Sequence, residues 1–317
     1  MRLFLAPLAD FTDAPFRRMC FEGGADMVYT EMVSAAALAH GNSPTRHLME
    51  TMDGEGPVAC QIFGATESDV ATASQEIEKI KDRFVELNLN AGCPMARITR
   101  SGAGAKLIED PEKVFRLLKA MIENTSLPVT LKTRLGPHPN DARIFELVDA
   151  ASRAGANGVA VHARFTSQMH GGALDLELLS EVVARSPLPV TGNGSIRTSK
   201  DLEAMAATGV RSVMIGRAAL SDPGIFAVLK GCGNPWSRFD AVRSHLKYIL
   251  HFRELLLKKF PDDHIRSADA FASVKMHTHL FRYFNGLSGA AKLRAKLNGI
   301  RSLAEIESCI SGFGFCD

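Results

Sequence analysis

Cys93 stands in the string Asn88-Leu89-Asn90-Ala91-Gly92-Cys93-Pro94, directly after an apolar run and between a glycine and a proline. A cysteine taken alone is more often a small buried hydrophobe than a reagent. Its place past the end of a strand-like run reverses that reading. An ordinary thiol, with a pKa of about 8.5, holds its proton at neutral pH and can serve as a general acid. Lys132 ends another apolar run. Burying its charge unpaired is costly, so a ligand contact is the better reading, and the charge would favour an electron-rich, anionic ring. Gln61 and Asn90 offer amide donors and acceptors suited to a ring edge. Gly192-Asn193-Gly194-Ser195 and Gly216-Arg217 put Gly-rich backbone where N–H groups can turn toward an anion, and Arg217 could add charge-assisted bonds or simply cap a helix. His162 reads either as a satisfied core histidine or as a second contact at the same place.

These strings all follow apolar runs that need an element to carry them. Eight such runs occur, at Leu3–Ala6, Met27–Thr30, Val58–Ile62, Val85–Asn90, Val129–Lys132, Gly158–His162, Val190–Gly192 and Ser212–Ile215. Consecutive Val, Ile and Leu are what parallel strands buried on both faces require. Between them lie segments with helical spacing, over Ser68–Lys81, from Asp110-Pro111 through Met121, over Asp141–Ala154 and over Asp175–Ala184. Asp110 suits a helix cap and Pro111 the first helical position. The alternation predicts an α/β fold of the (β/α)8 TIM-barrel type, in which the carboxyl ends of the strands form one functional rim. A doubly wound open sheet is the weaker alternative, because no G-x-G-x-x-G opens a helix.

After Gly231-Cys232-Gly233-Asn234-Pro235 the texture changes to helix-like periodicity alone, over Phe239–Phe260, Arg266–Phe284, Ala290–Leu297 and Leu303–Ser311. The expected division is a barrel over 1–232 and a small all-helical domain over 237–317. Charge follows the same division: Arg238 to Arg301 holds 13 Lys and Arg against 5 Asp and Glu, a net +8, while the whole chain of 317 residues carries only +2 and the remainder therefore −6. Such asymmetry fits a polyanion-binding segment, with a solvated basic helix face as the plainer reading. Lys275, His277, His279 and Arg282 fall on one helical segment and carry the same two readings. None of the six cysteines forms a C-x-x-C pair, no His spacing suggests zinc, no run reaches membrane-spanning length, and Leu3 to Ala6 is too brief for a secretory signal. A reducing, cytoplasmic setting with free thiols and no metal is expected.

Taken in order, these strings resemble the tRNA-dihydrouridine synthases. The resemblance rests on Ala6-Pro7-Leu8, Phe11-Thr12-Asp13-Ala14-Pro15-Phe16-Arg17, Thr30-Glu31-Met32, Gln61-Ile62-Phe63-Gly64, Leu89 to Pro94, Ser101-Gly102-Ala103-Gly104-Ala105, Leu131 to Gly136, Val161 to Arg164, Gly192-Asn193-Gly194 and Met214 to Ala219. Asn-x-Gly-Cys-Pro is the most specific of them, and the ordered set spans nearly the whole chain. The resemblance implies FMN in the barrel mouth. Pro7, Leu8 and Ala9 would meet the isoalloxazine through backbone, and Gln61 and Lys132 would bond its edge. His162, Asn193, Gly194, Ser195, Gly216 and Arg217 would line the ribitol and phosphate. It implies hydride addition at C6 of a tRNA uridine, protonation of C5 by Cys93 and NADPH as electron donor. Asn90, Arg134 and Arg164 would hold the base and nearby groups, and Arg97, Lys275 and Arg282 would meet the RNA. The target uridine would leave the stack to enter the barrel mouth. The expected partner is tRNA, with no membrane association and a monomeric chain.

Four features depart from the family pattern. Ser195 replaces an acidic residue. Gln168-Met169-His170 replaces a Gln-x-Tyr string. Leu176 stands where a Trp is usual. Arg97 and Arg100 replace lysines after the cysteine. The competing readings are an FMN barrel acting on a free pyrimidine, as dihydroorotate or dihydropyrimidine dehydrogenases do, a barrel retained only for RNA binding, and the same chemistry on ribosomal RNA. The basic tail argues against the first, and Cys93 with Lys132 and Gln61 against the second.

Overall fold

The computed structural model describes residues 1–285 and 301–311, the last three without their side chains. The expected helix Ala290–Leu297 and Cys316 lie outside the described residues. Eight strands form one parallel sheet, β1 (Arg2–Leu5), β2 (Val28–Ser34), β3 (Val58–Phe63), β4 (Glu86–Ala91), β5 (Val129–Arg134), β6 (Gly158–His162), β7 (Val190–Asn193) and β8 (Ser212–Ile215). Their order is β1-β8-β7-β6-β5-β4-β3-β2. A parallel bridge between Phe4 and Met27 brings the two ends together. Leu5 N–H to Met27 O at 2.9 Å and Asp26 N–H to Leu3 O at 2.8 Å complete that seam. The fold is a (β/α)8 barrel, with helices outside the strands and a helical region after them.

All eight expected strands are present, with ends shifted by a few residues at most apart from β2. That strand runs on to Ser34 through an irregularity in its pairing with β3 between Tyr29 and Met32. The helix Pro111–Ile122 begins where Asp110-Pro111 predicts, and the Asp110 carboxylate accepts Lys113 N–H at 2.9 Å. Its buried face is Val114, Leu117, Leu118 and Met121. Each of these contributes roughly 1.5–3 kcal/mol by burial. The helix expected from Asp141 starts only at Ile144, because Asp141 pairs in an antiparallel bridge with His138 and holds Arg143 Nε at 2.5 Å.

Two apolar compartments sit on either side of the sheet. The large one fills the space between strands and outer helices, with Leu5, Val28, Ile62, Leu89, Leu131, Val161 and Ile215 among its residues. The small one, inside the barrel, is made by Phe4, Ala6, Met27, Tyr29, Ala59, Ala160 and Met214. Next to it, on the β3–β4 side, Gln61, Asn88 and Asn90 are buried and polar. Barrel interiors are ordinarily filled by branched apolar side chains, so this polar stretch is reserved for something other than packing.

The tail helices Arg238–Lys259 and Ala268–Tyr283 pack together over Val242, Leu246, Ile249, Met276, Leu280 and Tyr283, and Ile306 of Leu303–Ser311 joins them. A second cluster, Ala14, Met52, Phe252 and Leu256, seats the tail on the barrel. Polar links run alongside: Lys275 Nζ to Asp13 at 3.0 Å, Lys259 Nζ to Glu50 at 2.5 Å, His47 Nε2 to Asp263 at 2.7 Å and Tyr248 OH to Glu22 at 2.8 Å. Two of the tail's cations, Lys275 and Lys259, thus answer acidic groups of the barrel. Among the described residues, no helix is long and apolar enough to cross a membrane.

Candidate active site

At the carboxyl ends of the strands lies a cavity of about 240 Å³. One wall is the turn after β1, Ala6 to Ala9. The loop after β4 contributes Asn90, Gly92, Cys93, Pro94 and Met95, and β5 contributes Lys132 and Arg134. His162, His170, Asn193, Gly194, Ser195, Gly216 and Arg217 close the far side, and among the described residues no carboxylate lines it. Ten of the eleven residues expected on the cofactor side line this one space, together with Cys93. Gln61 is the exception. It is fully buried one layer below, where its Oε1 accepts from Asn90 Nδ2 at 2.8 Å.

The Cys93 loop is fixed from both sides. Asn90 Oδ1 accepts the N–H of Gly92 at 3.1 Å and of Cys93 at 3.0 Å. Cys93 O accepts Ala105 N–H at 2.9 Å. Gly104 makes that approach possible. Its φ is +59°, and a Cβ there would lie 2.7 Å from Cys93 O and from Ile98 Cγ2. The Ser101 to Ala105 string therefore supports the cysteine, and the half-buried Cys93 thiol remains free at the cavity wall.

Lys132 makes one long bond, 3.4 Å to Asn193 Oδ1, while Asn193 Nδ2 donates to Met214 O at 2.7 Å. An ammonium has three donors, so two remain for a ligand. Burial, reinforced by Arg134 and opposed by Cys93, pushes Lys132 down to about 8. Burial and the neighbouring Lys132, Arg134 and Arg164 charges hold His162 far below the usual imidazole value. Arg164 Nη1 lies 3.2 Å from His162 Nε2. A guanidinium only donates, so Nε2 accepts and the neutral ring carries its proton on Nδ1.

Two arginines expected to meet substrate also hold the protein's own loops. Arg134 donates to Gly92 O at 2.8 Å, Phe165 O at 3.2 Å and Met169 O at 2.7 Å. Arg164 donates to Gly172 O at 2.8 Å and to Ser195 Oγ at 2.7 Å. Arg134 still lines the cavity, whereas Arg164 does not. Three non-glycine residues at this rim have positive φ, Asp10 at 67°, Met169 at 52° and Ser195 at 48°. Each is held by a charged side chain, Glu31 on Asp10 N at 2.5 Å, Arg134 on Met169 O and Arg164 on Ser195 Oγ. Strained backbone over-determined in this way is typical of ligand clamps.

Arg97 and Arg282 are exposed and outside the cavity. The Arg282 guanidinium sits 5.9 Å above the Phe11 ring. Lys275 is bound to Asp13, beside His245 and His279, and the ligand atoms of Asp13, His245 and His279 all lie within 4.8 Å of one another. Sequence spacing cannot reveal that meeting. The Lys275 ammonium already supplies the positive charge the carboxylate needs. Residues that the sequence reading left out of the site are Ala6, Met32, Gly92, Pro94, Met95 and His170. His170 packs near His162, ring centroids 6.4 Å apart, and its carbonyl accepts from Arg217 at 3.3 Å. Met32 and Met95 are apolar residues at strand and loop ends, with nothing in their local pattern to set them apart from core.

A cavity with Lys132, Arg134 and Arg217, two imidazoles, turned backbone and no acid suits a flat, anionic, phosphate-bearing ligand. The family model described as dihydrouridine synthase matches residues 4–311. A protein named probable tRNA-dihydrouridine synthase from Treponema pallidum is 33% identical over 235 residues, covering 71% of this chain and 68% of that one. The tRNA-dihydrouridine synthase B of Pseudomonas aeruginosa is 29% identical over 304 residues, 95% of this chain and 89% of that one. Among solved structures, morphinone reductase in complex with tetrahydroNAD superposes with a TM-score of 0.52 at 12% identity, over 74% of this chain and 87% of that one, a likeness of fold.

Proposed function

Given that this chain belongs to the dihydrouridine synthase family, we propose that it reduces a uridine of tRNA to 5,6-dihydrouridine in the cytoplasm, with FMN in the barrel mouth and NADPH as electron donor. FMN, when bound, supplies the hydride that adds at C6 of the uracil. The chain's own residues do the rest. Cys93 gives the proton to C5, so that hydride and proton together saturate the C5–C6 bond. Lys132 and the backbone of Pro7, Leu8 and Ala9 hold the ring. Gln61 acts on it from below through Asn90. Gly194, Ser195, Gly216 and Arg217 take the phosphate side, with His162 and Asn193 beside the ribitol. Arg134 and Arg164 shape the rim by holding its loops.

The observation that carries this reading is the meeting of Cys93 with Lys132, from neighbouring strands, on one cavity whose lining includes no carboxylate. A proton donor and a fixed cation then face the same ligand. Negative charge building on the uracil during hydride addition is stabilised by such a preorganised cationic wall. Residues 1–232 form the catalytic barrel in this reading and 237–317 the RNA-binding part. Arg97, Arg100 and Arg282 remain exposed to meet phosphates.

The absorption spectrum of the purified protein tests this. A flavin absorption band, bleached by NADPH and recovered faster when unmodified tRNA is added, supports the reading. Faster recovery with a free pyrimidine or ribosomal RNA instead would move the substrate to that class. No flavin after loading with FMN would end it.

A further inference from the structure

A continuous line of hydrogen bonds crosses the barrel from its floor to the catalytic loop, and every link points the same way. Cys93 N–H donates to Asn90 Oδ1 at 3.0 Å. Asn90 Nδ2 donates to Gln61 Oε1 at 2.8 Å, and Gln61 Nε2 to Asn88 Oδ1 at 2.7 Å. Asn88 Nδ2 donates to Thr130 Oγ1 at 2.6 Å, and Thr130 Oγ1 to Glu86 Oε1 at 2.6 Å. Tyr29 OH donates to the same carboxylate oxygen at 2.7 Å. The register explains the path: Gln61, Asn88 and Thr130 are lateral partners on β3, β4 and β5, and Glu86, Asn88 and Asn90 recur at every second position of β4.

We propose that Glu86, at the opposite end of the barrel from the reaction, is the positioning residue that holds the Cys93 loop in place through this line. The proposal rests on the dihydrouridine synthase reading for its effect on turnover. The physical reason is a count of donors. Each amide and the Thr130 hydroxyl pass one hydrogen onward, so one hydrogen is left over at the bottom. The line can end only on an acceptor, and an ionised carboxylate supplies oxygens that accept. Three amides in sequence could each be flipped. Backbone N–H at the top and carboxylate at the bottom leave one orientation for all of them. Without the carboxylate below, the half-buried Thr130 hydroxyl is no longer committed to donating downward. Thr130 can then donate to Asn88 instead, the amides turn in series, and the Cys93 N–H is released toward the upper cavity. A polarised chain also strengthens its own members.

Glu86 is suited to this work in a second way. It borders a separate cavity of about 840 Å³ at the amino ends of the strands, together with Arg2, Tyr29 and Thr130. The carboxylate can remain solvated from below while serving the dry interior above. Burial pushes its carboxyl up, and the bonds from Thr130 and Tyr29 with the charge of Arg2 oppose that.

The test compares full-length, FMN-loaded wild type with Glu86→Leu and Glu86→Gln. Deuterium uptake at the 90–95 backbone is read in each, and tRNA turnover alongside. Leucine removes the acceptor. Glutamine keeps a carbonyl oxygen for Tyr29 and Thr130 and turns its new amide hydrogens to the floor cavity. Glu86→Leu is expected to speed exchange at Gly92 and Cys93 and to lower kcat about tenfold with KM for tRNA unchanged. Glu86→Gln is expected to restore both to near wild type. Thr130→Val, which cuts the line one link higher, is expected to copy Glu86→Leu and stands in for it if that variant does not fold. Unchanged exchange and kcat in a folded Glu86→Leu or Thr130→Val protein would overturn the proposal, as would Glu86→Gln failing like leucine. If the wild type makes no dihydrouridine, the functional reading fails while the exchange measurement still decides the line itself.

Discussion

The side-chain oxygen of Asn90 holds the backbone N–H of Cys93 at 3.0 Å, and its amide nitrogen is in turn held by Gln61 at 2.8 Å. The cysteine is therefore set by a residue three positions earlier on the same strand, which is itself anchored inside the barrel. Asn90→Ala removes the support and leaves the thiol. Its expected effect is a loss of roughly tenfold or more in turnover, with flavin content retained. Cys93→Ala removes the proton donor itself and should cost roughly 10²–10⁴-fold. Rapid mixing of the NADPH-reduced proteins with unmodified tRNA checks both. Wild-type rates in Asn90→Ala would show that the loop needs no such support.

Lys132 gives a pH dependence with a definite sign. Burial and Arg134 bring it down to about 8 in the ligand-free protein. Below that pH it is positive and attracts an anionic ligand. Above it the charge is lost, so flavin affinity should fall as pH rises, by up to roughly tenfold between pH 8 and pH 9.5. Binding of FMN to the apoprotein across pH 6.5 to 9.5 measures this, and Lys132→Met should give a weaker but flatter curve. A wild-type curve as flat as the variant's would remove Lys132 from the cofactor contact.

The junction between barrel and tail is sensitive to acid. Burial alone would raise the Asp13 carboxyl, but Lys275, His245 and His279 hold it at about 2. It contributes stability above its unfolded value of 3.8 that is lost as pH falls toward 2. His245 is lowered to about 4, chiefly by burial, from 6.5. As pH falls through 6.5 the unfolded chain takes up that proton first, so stability declines down to about 4. Both slopes have the same direction. Melting temperature measured from pH 7 to 4.5 should fall more steeply for wild type than for His245→Gln, and equal slopes would contradict the assignment.

Lys275 reads from the sequence as part of either an RNA-facing or a solvated helix face, and the structure pairs it with Asp13. Lys275→Met should therefore destabilise the protein by roughly 2 kcal/mol, at the lower side of what breaking a buried pair costs because the lysine is about one-third exposed. RNA affinity should instead respond to the exposed cations Arg97, Arg100 and Arg282. Changing all three to Gln should weaken tRNA binding. It should also flatten the slope of log affinity against log salt by roughly 0.7–0.9 for each phosphate no longer neutralised. Filter binding at several salt concentrations separates the two. A Lys275→Met protein with unchanged melting but reduced salt dependence would reverse these roles.

The barrel was legible because its strands are apolar runs bounded by Gly, Pro and polar residues, a local pattern. The residues beyond those runs turn into one rim by topology, so Cys93, Lys132, Asn193 and Arg217 could be named from position alone. What the sequence hides is how polar groups are already occupied. No local pattern reveals that loop carbonyls take several of the donors of Arg134 and Arg164. Strand alternation does not say how far up the barrel Gln61 stands, fully buried one layer below the cavity lining. The sequence also does not show that Asp13 and Glu50, far away in the chain, neutralise part of the tail's charge.

The most direct measurement is the dihydrouridine content, by mass spectrometry, of bulk unmodified tRNA incubated with NADPH and the FMN-loaded protein, wild type beside Cys93→Ala. New dihydrouridine is expected with wild type and little with Cys93→Ala, while both oxidise NADPH. No dihydrouridine from a flavin-loaded wild type that consumes NADPH, or equal amounts from the two proteins, would contradict the proposed function.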